Sequence, residues 1–244
     1  RAQVGGLRAG LIGLGIGAGD RVGIVCANNW YFVASYLAVL GAGAVAVPLN
    51  PLSPPRELER ELAAVGARAV LVGPSGRSNA DGIDRSRLPV LEFVIHSEGS
   101  SNEGAILLDD LLDTPPVPVV DRGPDDLAVL IFTSGTAGSP KAAMLSHGNL
   151  LANLEQTIAL RGQGDSTDVG FGVLPMFHIF GLNVVLGTAL QAGASVLLVE
   201  RFDPMSALEA IEKHGVTVLP GAPQMWAAWA AMPGLPEDSF ATVK

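Results

Sequence analysis

The chain has 244 residues, 48% of them hydrophobic, and a formal net charge of −9. This length and apolar content suit one large domain or two small ones with a sizeable core. The acidic balance, without any run of Lys or Arg, argues against a nucleic-acid-binding surface, and a single cysteine excludes an intrachain disulfide framework. We therefore expect a protein of a reducing compartment, in which Cys26 is a small buried side chain.

Helical and strand-like patterns alternate along the chain, the helices marked by apolar residues at helical spacing and the strands by short β-branched runs. The predicted helices lie at residues 4–14, 30–40, 57–62, 150–158, 204–213 and 225–229. The predicted strands lie at residues 21–26, 44–47, 68–72, 90–95, 127–132, 169–174, 195–199 and 216–219. This order predicts an α/β fold of two layered αβ subdomains, with largely parallel sheets flanked by helices and ligands at the carboxyl ends of strands.

Residues that cap or interrupt these elements can also be named. The candidate N-caps, which precede three of the predicted helices, are Asn28 or Asn29, Ser53, and Ser146 or Asn149. Pro48 is predicted to end the strand at 44–47, because proline has no N–H to donate to a strand ladder. Residues 73–89 and 97–124 are polar, apart from an apolar patch at 106–112, and we expect them to be variable or disordered loops.

Two patterns imitate other classes of protein. Gly13, Gly15 and Ala18 fit the GxGxxA pattern of dinucleotide-binding proteins, but they follow a helix and precede a strand, the reverse of that fingerprint. They are the sole support for an alternative, a nucleotide-dependent oxidoreductase.

Residues 31–49 and 179–199 are nearly as apolar as membrane spans, but polar residues, Gly or Pro interrupt them. A helix followed by a strand explains each stretch better, and we predict no transmembrane segment.

Residues 127–152, LAVLIFTSGTAGSPKAAMLSHGNLLA, have the order of an anion-binding loop: a buried strand, a loop of glycines and hydroxyl residues, and a helix. Glycines let backbone N–H groups turn into one concavity, while hydroxyls and a lysine add donors for polyphosphate oxygens. The candidate phosphate-binding residues are Thr133, Ser134, Gly135, Thr136, Gly138, Ser139 and Lys141. The P-loop motif GxxxxGK[ST] fails here, because Pro140 precedes the lysine and Ala142 follows it. A plain exposed turn is the alternative.

The stretch TSGTAGSPKAAMLSH resembles the core signature of the adenylate-forming (AMP-binding) superfamily, which includes the acyl-CoA synthetases, luciferases and peptide-synthetase adenylation domains. The usual form is TSGTTG, a variable residue and PKG; this chain has Ala137 in place of the second Thr of TTG and Ala142 in place of the last Gly. The segment from Gly41 to Pro48 resembles an earlier motif of the same superfamily. The chain is identified as a member, most like the N-terminal portion of an acyl-CoA synthetase.

A third match is the aromatic-His-x-x-Gly motif at residues 177–181, where the resemblance places His178 beside the carboxylate that is activated. A histidine between a strand and a helix can present a ring N–H to an anion at the helix N-terminus. The alternative is a capping or packing role, to which His96, His147 and His214 are assigned. The resemblance further implies substrate-pocket residues, which are Phe177, Gly181, Gly221, Gln224 and Met225. Trp226 and Trp229 are assigned to the core.

The resemblance implies a ligase of two steps. A carboxylate attacks the α-phosphate of ATP to give an acyl-adenylate and pyrophosphate, and the thiol of coenzyme A then takes the acyl group. The loop would hold the β- and γ-phosphates and His178 would orient the carboxylate. The implied cofactors are ATP, Mg²⁺ and coenzyme A, with the Mg²⁺ ligand outside this chain, and we predict no metal ligand among these residues. Apolar residues near His178 and Trp226 favour a fatty or other hydrophobic acid.

The resemblance also implies the domain organisation. Residues 1–244 would be an incomplete N-terminal AMP-binding domain, in which subdomain 21–164 carries the phosphate loop and subdomain 1–20 plus 165–244 carries part of the acyl pocket. The C-terminal domain and the later motifs are absent, so we expect the piece alone to be inactive. A cytoplasmic protein of fatty-acid and lipid metabolism is expected. The alternatives are a fatty acyl-AMP ligase, an aryl or short-chain acid CoA ligase, and a non-catalytic binding or scaffold relative.

Overall fold

The structure is a computed structural model that describes residues 1–97, 105–133, 141–161 and 164–244. The chain folds into two compact units, Arg1–Leu150 and Leu151–Lys244. Each unit has strands with helices packed on them, as the alternating sequence pattern predicts, and none of the helices in the described ranges is long and apolar enough to cross a membrane.

The first unit is built around a seven-stranded sheet in the order β5-β4-β3-β1-β2-β6-β7. Every neighbouring pair in this sheet is parallel except β6 with β7, which is antiparallel. The strands are β1 (Arg21–Val25), β2 (Val45–Leu49), β3 (Ala69–Val72), β4 (Phe93–His96), β5 (Ile106–Leu107), β6 (Leu127–Thr133) and β7 (Lys141–Ser146). The helices are α1 (Ala2–Gly13), α2 (Trp30–Gly41), α3 (Pro55–Val65), α4 (Arg77–Asp81) and α5 (Leu108–Leu112). The prediction of a largely parallel α/β sheet is confirmed.

Local differences from the predicted elements have physical causes. Pro48 does not end β2, which continues to Leu49; both residues stay in the parallel register with β1, in which Pro48 pairs with Ile24. Ser53 does not cap α3, because the N-cap position is occupied by Pro54, whose side chain has no hydrogen-bond acceptor. Asn29 does cap α2, where its Oδ1 accepts from the N–H of Phe32 at 3.2 Å.

The two segments predicted as loops contain short elements. α4 lies within residues 73–89, and the apolar patch at 106–112 forms β5 and α5. Cys26 is buried, as predicted, and its thiol donates to the side-chain oxygen of Asn29 at 3.2 Å.

A strand that the sequence analysis does not assign follows the candidate phosphate loop. Residues 141–146 pair with β6 as an edge strand, so the loop joins two antiparallel strands and does not lead directly into a helix. α6 (His147–Arg161) begins immediately after β7. Ser146 Oγ accepts from the N–H of Asn149 at 3.2 Å, and Asn149 Oδ1 accepts from the N–H of Ser146 at 3.1 Å. Both predicted caps therefore act together as a reciprocal capping box.

The second unit is organised around a parallel pair, β8 (Val169–Gly172) and β9 (Ser195–Leu198), and Val218 adds one parallel bridge to Gly170. A π-helix at Phe180–Gly187 continues into α7 (Thr188–Ala192), and α8 (Pro204–His214) and α9 (Pro223–Ala230) follow β9. One face of the strands packs on α8 and α9 through a buried apolar cluster. Its members are Phe171, Val173, Ala207, Ile211, Val216, Met225 and Trp229.

The first helix belongs to the first unit, where it packs on α2 and α5. A glycine face makes this possible: a Cβ added to Gly6 would lie 2.0 Å from the carbonyl oxygen of Leu112, and one added to Gly10 would lie 2.7 Å from Leu111 Cβ. The prediction that residues 1–20 join residues 165–244 therefore differs from the structure. A glycine-rich helix pattern does not reveal which surface the helix contacts, so the sequence does not place α1. The unit boundary also differs from the prediction, because it lies after Leu150 and not near residue 164.

We expect Gly6→Ala to lower the free energy of unfolding by about 1–3 kcal/mol, because its methyl group would collide with backbone and force α1 away from α5. The matched control is Gly13→Ala at the end of the same helix, where an added Cβ meets nothing within 4 Å. The control should leave stability unchanged or raise it by up to about 1 kcal/mol. Urea denaturation of both variants measures the difference, and equal losses would contradict this packing of α1.

Candidate functional site

The ends of the candidate phosphate loop are held by the last pair of a strand ladder. Thr133 at the carboxyl end of β6 pairs with Lys141 at the start of β7, and Thr133 Oγ1 donates to the backbone oxygen of Lys141 at 3.4 Å. Both side chains are exposed to solvent. Ser134, Gly135, Thr136, Gly138 and Ser139 lie outside the described residues. Of the predicted phosphate-binding residues, the structure therefore brings Thr133 and Lys141 together.

Ala142 occupies the position at which the resembling signature has glycine. It pairs with Phe132 in the β6–β7 ladder, and both side chains pack against the apolar core of the first unit. The extra methyl group is therefore accommodated by core packing.

His178 lies between β8 and the π-helix and its side chain is exposed. The ring packs against Phe177 with 4.6 Å between ring centroids, and no side chain in the described ranges forms a hydrogen bond with it. Its backbone N–H donates to Pro175 at 3.1 Å and its carbonyl accepts from Leu182 at 2.9 Å, which fixes the entry into the helix. A helix N-terminus next to a free imidazole is suited to hold a carboxylate.

Gly181 has a steric role in this entry. A Cβ added there would lie 2.3 Å from the carbonyl oxygen of Pro175 and 2.5 Å from that of Leu174. The turn that presents His178 can therefore close only over a residue without a side chain.

A pocket of about 580 Å³ lies within the second unit. Val184, Val185 and Ala189 from the π-helix and α7 form one apolar wall, and Val218 and Trp226 contribute to the remaining wall. The predicted pocket residues Phe177, Gly181, Gly221, Gln224 and Met225 are not among the residues that line it. Met225 is buried in the core cluster and Gln224 is exposed, while Gly221 lies under the indole ring of Trp226.

The two tryptophans of α9 have different environments. Trp229 is buried in the core, as predicted, and its indole N–H donates to the carbonyl of Pro204 at 2.9 Å. Trp226 is 42% exposed and lines the pocket, whereas the sequence analysis assigned it to the core. The helical spacing of Trp226 and Trp229 does not show which of them is in the core and which lines the pocket, because that depends on packing with distant residues.

A charged cluster that the sequence analysis missed lies at one end of the pocket. Asp168 Oδ1 accepts from Thr217 Oγ1 at 2.6 Å and from Lys244 Nζ at 2.8 Å, and its Oδ2 accepts from the N–H of Asp165 at 3.0 Å. The hydrogen bonds from Lys244 and then Thr217 lower the pKa of Asp168 to about 2. Asp168, Thr217 and Lys244 are far apart in sequence, so no local motif predicts that they form a cluster.

Comparison with known proteins gives a family and relatives. The family described as "AMP-binding enzyme" matches residues 1–243. A 3-[(3aS,4S,7aS)-7a-methyl-1,5-dioxo-octahydro-1H-inden-4-yl]propanoyl:CoA ligase of Mycobacterium tuberculosis (strain ATCC 25618 / H37Rv) is 34% identical over 233 residues, which cover 93% of this chain and 46% of that protein. The 4-coumarate–CoA ligase 2 of Oryza sativa subsp. japonica is 32% identical over 255 residues, which cover 97% of this chain and 44% of that protein. The chain thus spans less than half of each relative.

Solved structures agree on the fold. A putative long-chain-fatty-acid CoA ligase from Rhodopseudomonas palustris CGA009 is 29% identical with a TM-score of 0.88, and the match covers 100% of this chain and 60% of that one. ATP-bound MatB from Rhodopseudomonas palustris is 29% identical with a TM-score of 0.84, covering 99% of this chain and 47% of that one. The anthranilate CoA ligase AuaEII with anthranoyl-AMP has a TM-score of 0.92 at 24% identity, covering 100% and 48%, and supports the fold alone.

We expect Asp168→Asn to lower the free energy of unfolding at pH 7 by about 1–2 kcal/mol, a value reduced for the partial exposure of Lys244. The folded-state pKa of about 2 lies below the unfolded value of about 3.9, so the contribution of the carboxylate is complete above pH 4. It is lost as the pH falls towards 2, where wild type and variant should converge. Urea denaturation at several pH values measures this, with exposed Asp125→Asn as the control. A pH-independent difference would refute the role of the charge.

Proposed function

Because the chain belongs to the AMP-binding enzyme family, we propose that the complete protein activates a carboxylic acid with ATP and transfers the acyl group to coenzyme A. In the first step a carboxylate oxygen attacks the α-phosphorus, the bond to the β-phosphate oxygen breaks, and pyrophosphate leaves. In the second step the sulfur of coenzyme A attacks the acyl carbon, AMP leaves and the thiol proton is released. Residues 1–244 alone are expected to be inactive.

The main support for this proposal is the strand pair Thr133–Lys141, which joins the two ends of the candidate phosphate loop. The Thr133–Lys141 pair holds both ends of a Gly- and hydroxyl-rich loop at the carboxyl end of a parallel strand, where open α/β sheets bind ligands. The exposed ammonium of Lys141 and the hydroxyl of Thr133 suit the negative charge of a triphosphate. Ser134, Gly135, Thr136, Gly138 and Ser139 are proposed to add donors. These groups would position and stabilise charge and would not transfer protons.

His178 is proposed to orient the carboxylate of the acid. Its exposed ring at the start of a helix, free of hydrogen bonds to described side chains, supports this role. Phe177, Gly181, Gly221, Gln224 and Met225 remain proposed as contributors to the acid-binding region. For Gly181 and Gly221 the support is that each lets a neighbouring group approach closely.

The proposed substrate is a hydrophobic acid with a long chain or a ring system. The apolar wall and the volume of about 580 Å³ of the pocket support this, because such a volume exceeds what a two- to four-carbon acid would fill. An aryl acid is the second candidate, since 4-coumarate–CoA ligases are among the relatives. A fatty acyl-AMP ligase and a non-catalytic scaffold relative are the further alternatives.

ATP, Mg²⁺ and coenzyme A are the proposed cofactors, and the cytoplasm is the proposed location. Within the ranges that the structure describes, no group of His, Cys, Asp or Glu side chains could hold a metal ion. The described residues that fit a nucleotide are Thr133 and Lys141, which would contact its phosphates. When bound, ATP would supply the adenylyl group that activates the acid, with pyrophosphate as the leaving group.

The test is ATP–pyrophosphate exchange by the complete protein over a panel of acids that includes butyrate, dodecanoate and 4-coumarate. We expect exchange with the hydrophobic acids, and a loss of about 100-fold in Lys141→Met because the variant removes a charge from the phosphate site. The control is Lys213→Met, an exposed lysine of α8. Equal activity of both variants would reject the role of Lys141.

Two outcomes would overturn the wider proposal. No exchange with any acid would favour the scaffold relative, and bound NAD or flavin absorbance would favour the oxidoreductase alternative. Adenylate formation by residues 1–244 alone would contradict the expectation that this part is inactive.

A further inference from the structure

The helix that follows His178 is wound unusually. Phe180–Gly187 forms a π-helix of 8 residues, and at its end the N–H of Thr188 donates to the carbonyl of Asn183, five residues earlier. π-winding is rare and is mostly confined to single turns, often at functional sites. A stretch of this length therefore requires interactions that hold it against the ordinary α-helix.

One such interaction is a side-chain hydrogen bond that joins the buried Asn183 to the exposed Asn153. Asn183 is 4% exposed, and its Nδ2 donates at 2.9 Å to Oδ1 of Asn153 on α6. The hydroxyl of Thr188 donates to the carbonyl of Val184 at 2.5 Å and satisfies a backbone group near the change of winding. Breaking the Asn153–Asn183 bond would remove one hydrogen-bond partner from the buried amide of Asn183, which is costly.

Close packing with α6 forms the second interaction. A Cβ added to Gly187 would lie 2.9 Å from Leu154 Cδ2 and 3.0 Å from Asn183 Oδ1. Leu154 is the residue that follows Asn153, and it is buried. The hydrogen bond and the glycine contact therefore fix the π-helix against one turn of α6.

The winding determines which side chains form the wall of the pocket. Val184, Val185, Thr188 and Ala189 line the cavity, and all of them follow Asn183. An α-helix advances about 100° per residue with bonds between residues four apart, whereas π-winding bonds residues five apart. A return to α-winding would therefore rotate the residues after Asn183 and present a different set of side chains to the cavity.

We propose that Asn183, held by Asn153, is a positioning residue that determines acid specificity by fixing the π-winding of the pocket wall. This inference rests on the proposed function, because it assumes that the acid occupies the pocket. A merely structural bond would lower stability without changing the choice between acids. A positioning role changes that choice, since the pocket wall itself is rearranged.

The test compares two substitutions of the acceptor in the complete protein. Asn153→Asp keeps an oxygen that can accept from Asn183, whereas Asn153→Leu has similar volume and no acceptor. The readout is the ratio of kcat/KM in pyrophosphate exchange for dodecanoate and 4-coumarate. We expect Asn153→Leu and Asn183→Leu to change this ratio about tenfold, and the double variant to change it no further. Asn153→Asp should remain within about twofold of wild type.

The matched control is Asn79→Leu in the first unit, which removes a side-chain amide hydrogen bond of the same length, 2.9 Å, to the carbonyl of Pro51. It should affect stability but not the ratio. A ratio unchanged in Asn153→Leu, or changed equally in Asn79→Leu, overturns the inference.

A crystal structure of the Asn153→Leu protein keeps the two proposals separable. If the wild type exchanges no acid, the proposed function fails. The crystal structure still tests whether the Asn153–Asn183 bond fixes the π-winding. Loss of the bond from the Thr188 N–H to the Asn183 carbonyl would support it. A retained π-helix would overturn it.

Discussion

The antiparallel pairing of β6 with β7 is the constraint on which the candidate phosphate site depends. β6 pairs on one side with the parallel strand β2 at Val129, and on the other side with β7, whose pairing extends to the carboxyl end of β6 at Thr133. The register from Leu127–Ser146 to Thr133–Lys141 then fixes both ends of the loop.

The same strand also fixes where α6 begins. β7 ends at Ser146, and the reciprocal bonds between Ser146 and Asn149 satisfy the N–H groups of both residues. The N–H groups of His147 and Gly148, at the start of α6, donate to the carbonyls of Asp126 and Pro124. α6 then presents Asn153 and Leu154 to the π-helix.

The parts of the fold that could be predicted are those encoded by local pattern. Short apolar runs gave the parallel strands, and Asn29 and the pair Ser146 and Asn149 were recognised as caps. The resemblance based on TSGTAGSPKAAMLSH is confirmed by the family match over residues 1–243. The signature could be recognised because it and its strand are contiguous in the sequence.

The parts that could not be predicted depend on contacts between distant residues. The apolar run from Ala142 to Leu145 does not by itself predict the strand β7, because an edge strand depends on pairing with its partner strand. The glycine face of α1 is visible in the sequence, but its contact with Leu112 is not. Asp168 is bonded to Thr217 and Lys244 through chain reversals that no spacing rule describes.

The π-helix shows how a site can depart from local preference. The segment FGLNVVLG is apolar and contains two glycines, so its own sequence favours neither a particular winding nor a particular facing of its side chains. The winding is supported instead by contacts with α6, among them the hydrogen bond from Asn183 to Asn153 and the close approach of Gly187 to Leu154. Substitutions at these contacts are therefore expected to alter the wall of the pocket while leaving the turn at His178, which is bonded to Pro175 and Leu182, in place. In the proposed function, recognition of the acid and orientation of its carboxylate would therefore vary separately, although both are assigned to one short stretch of chain.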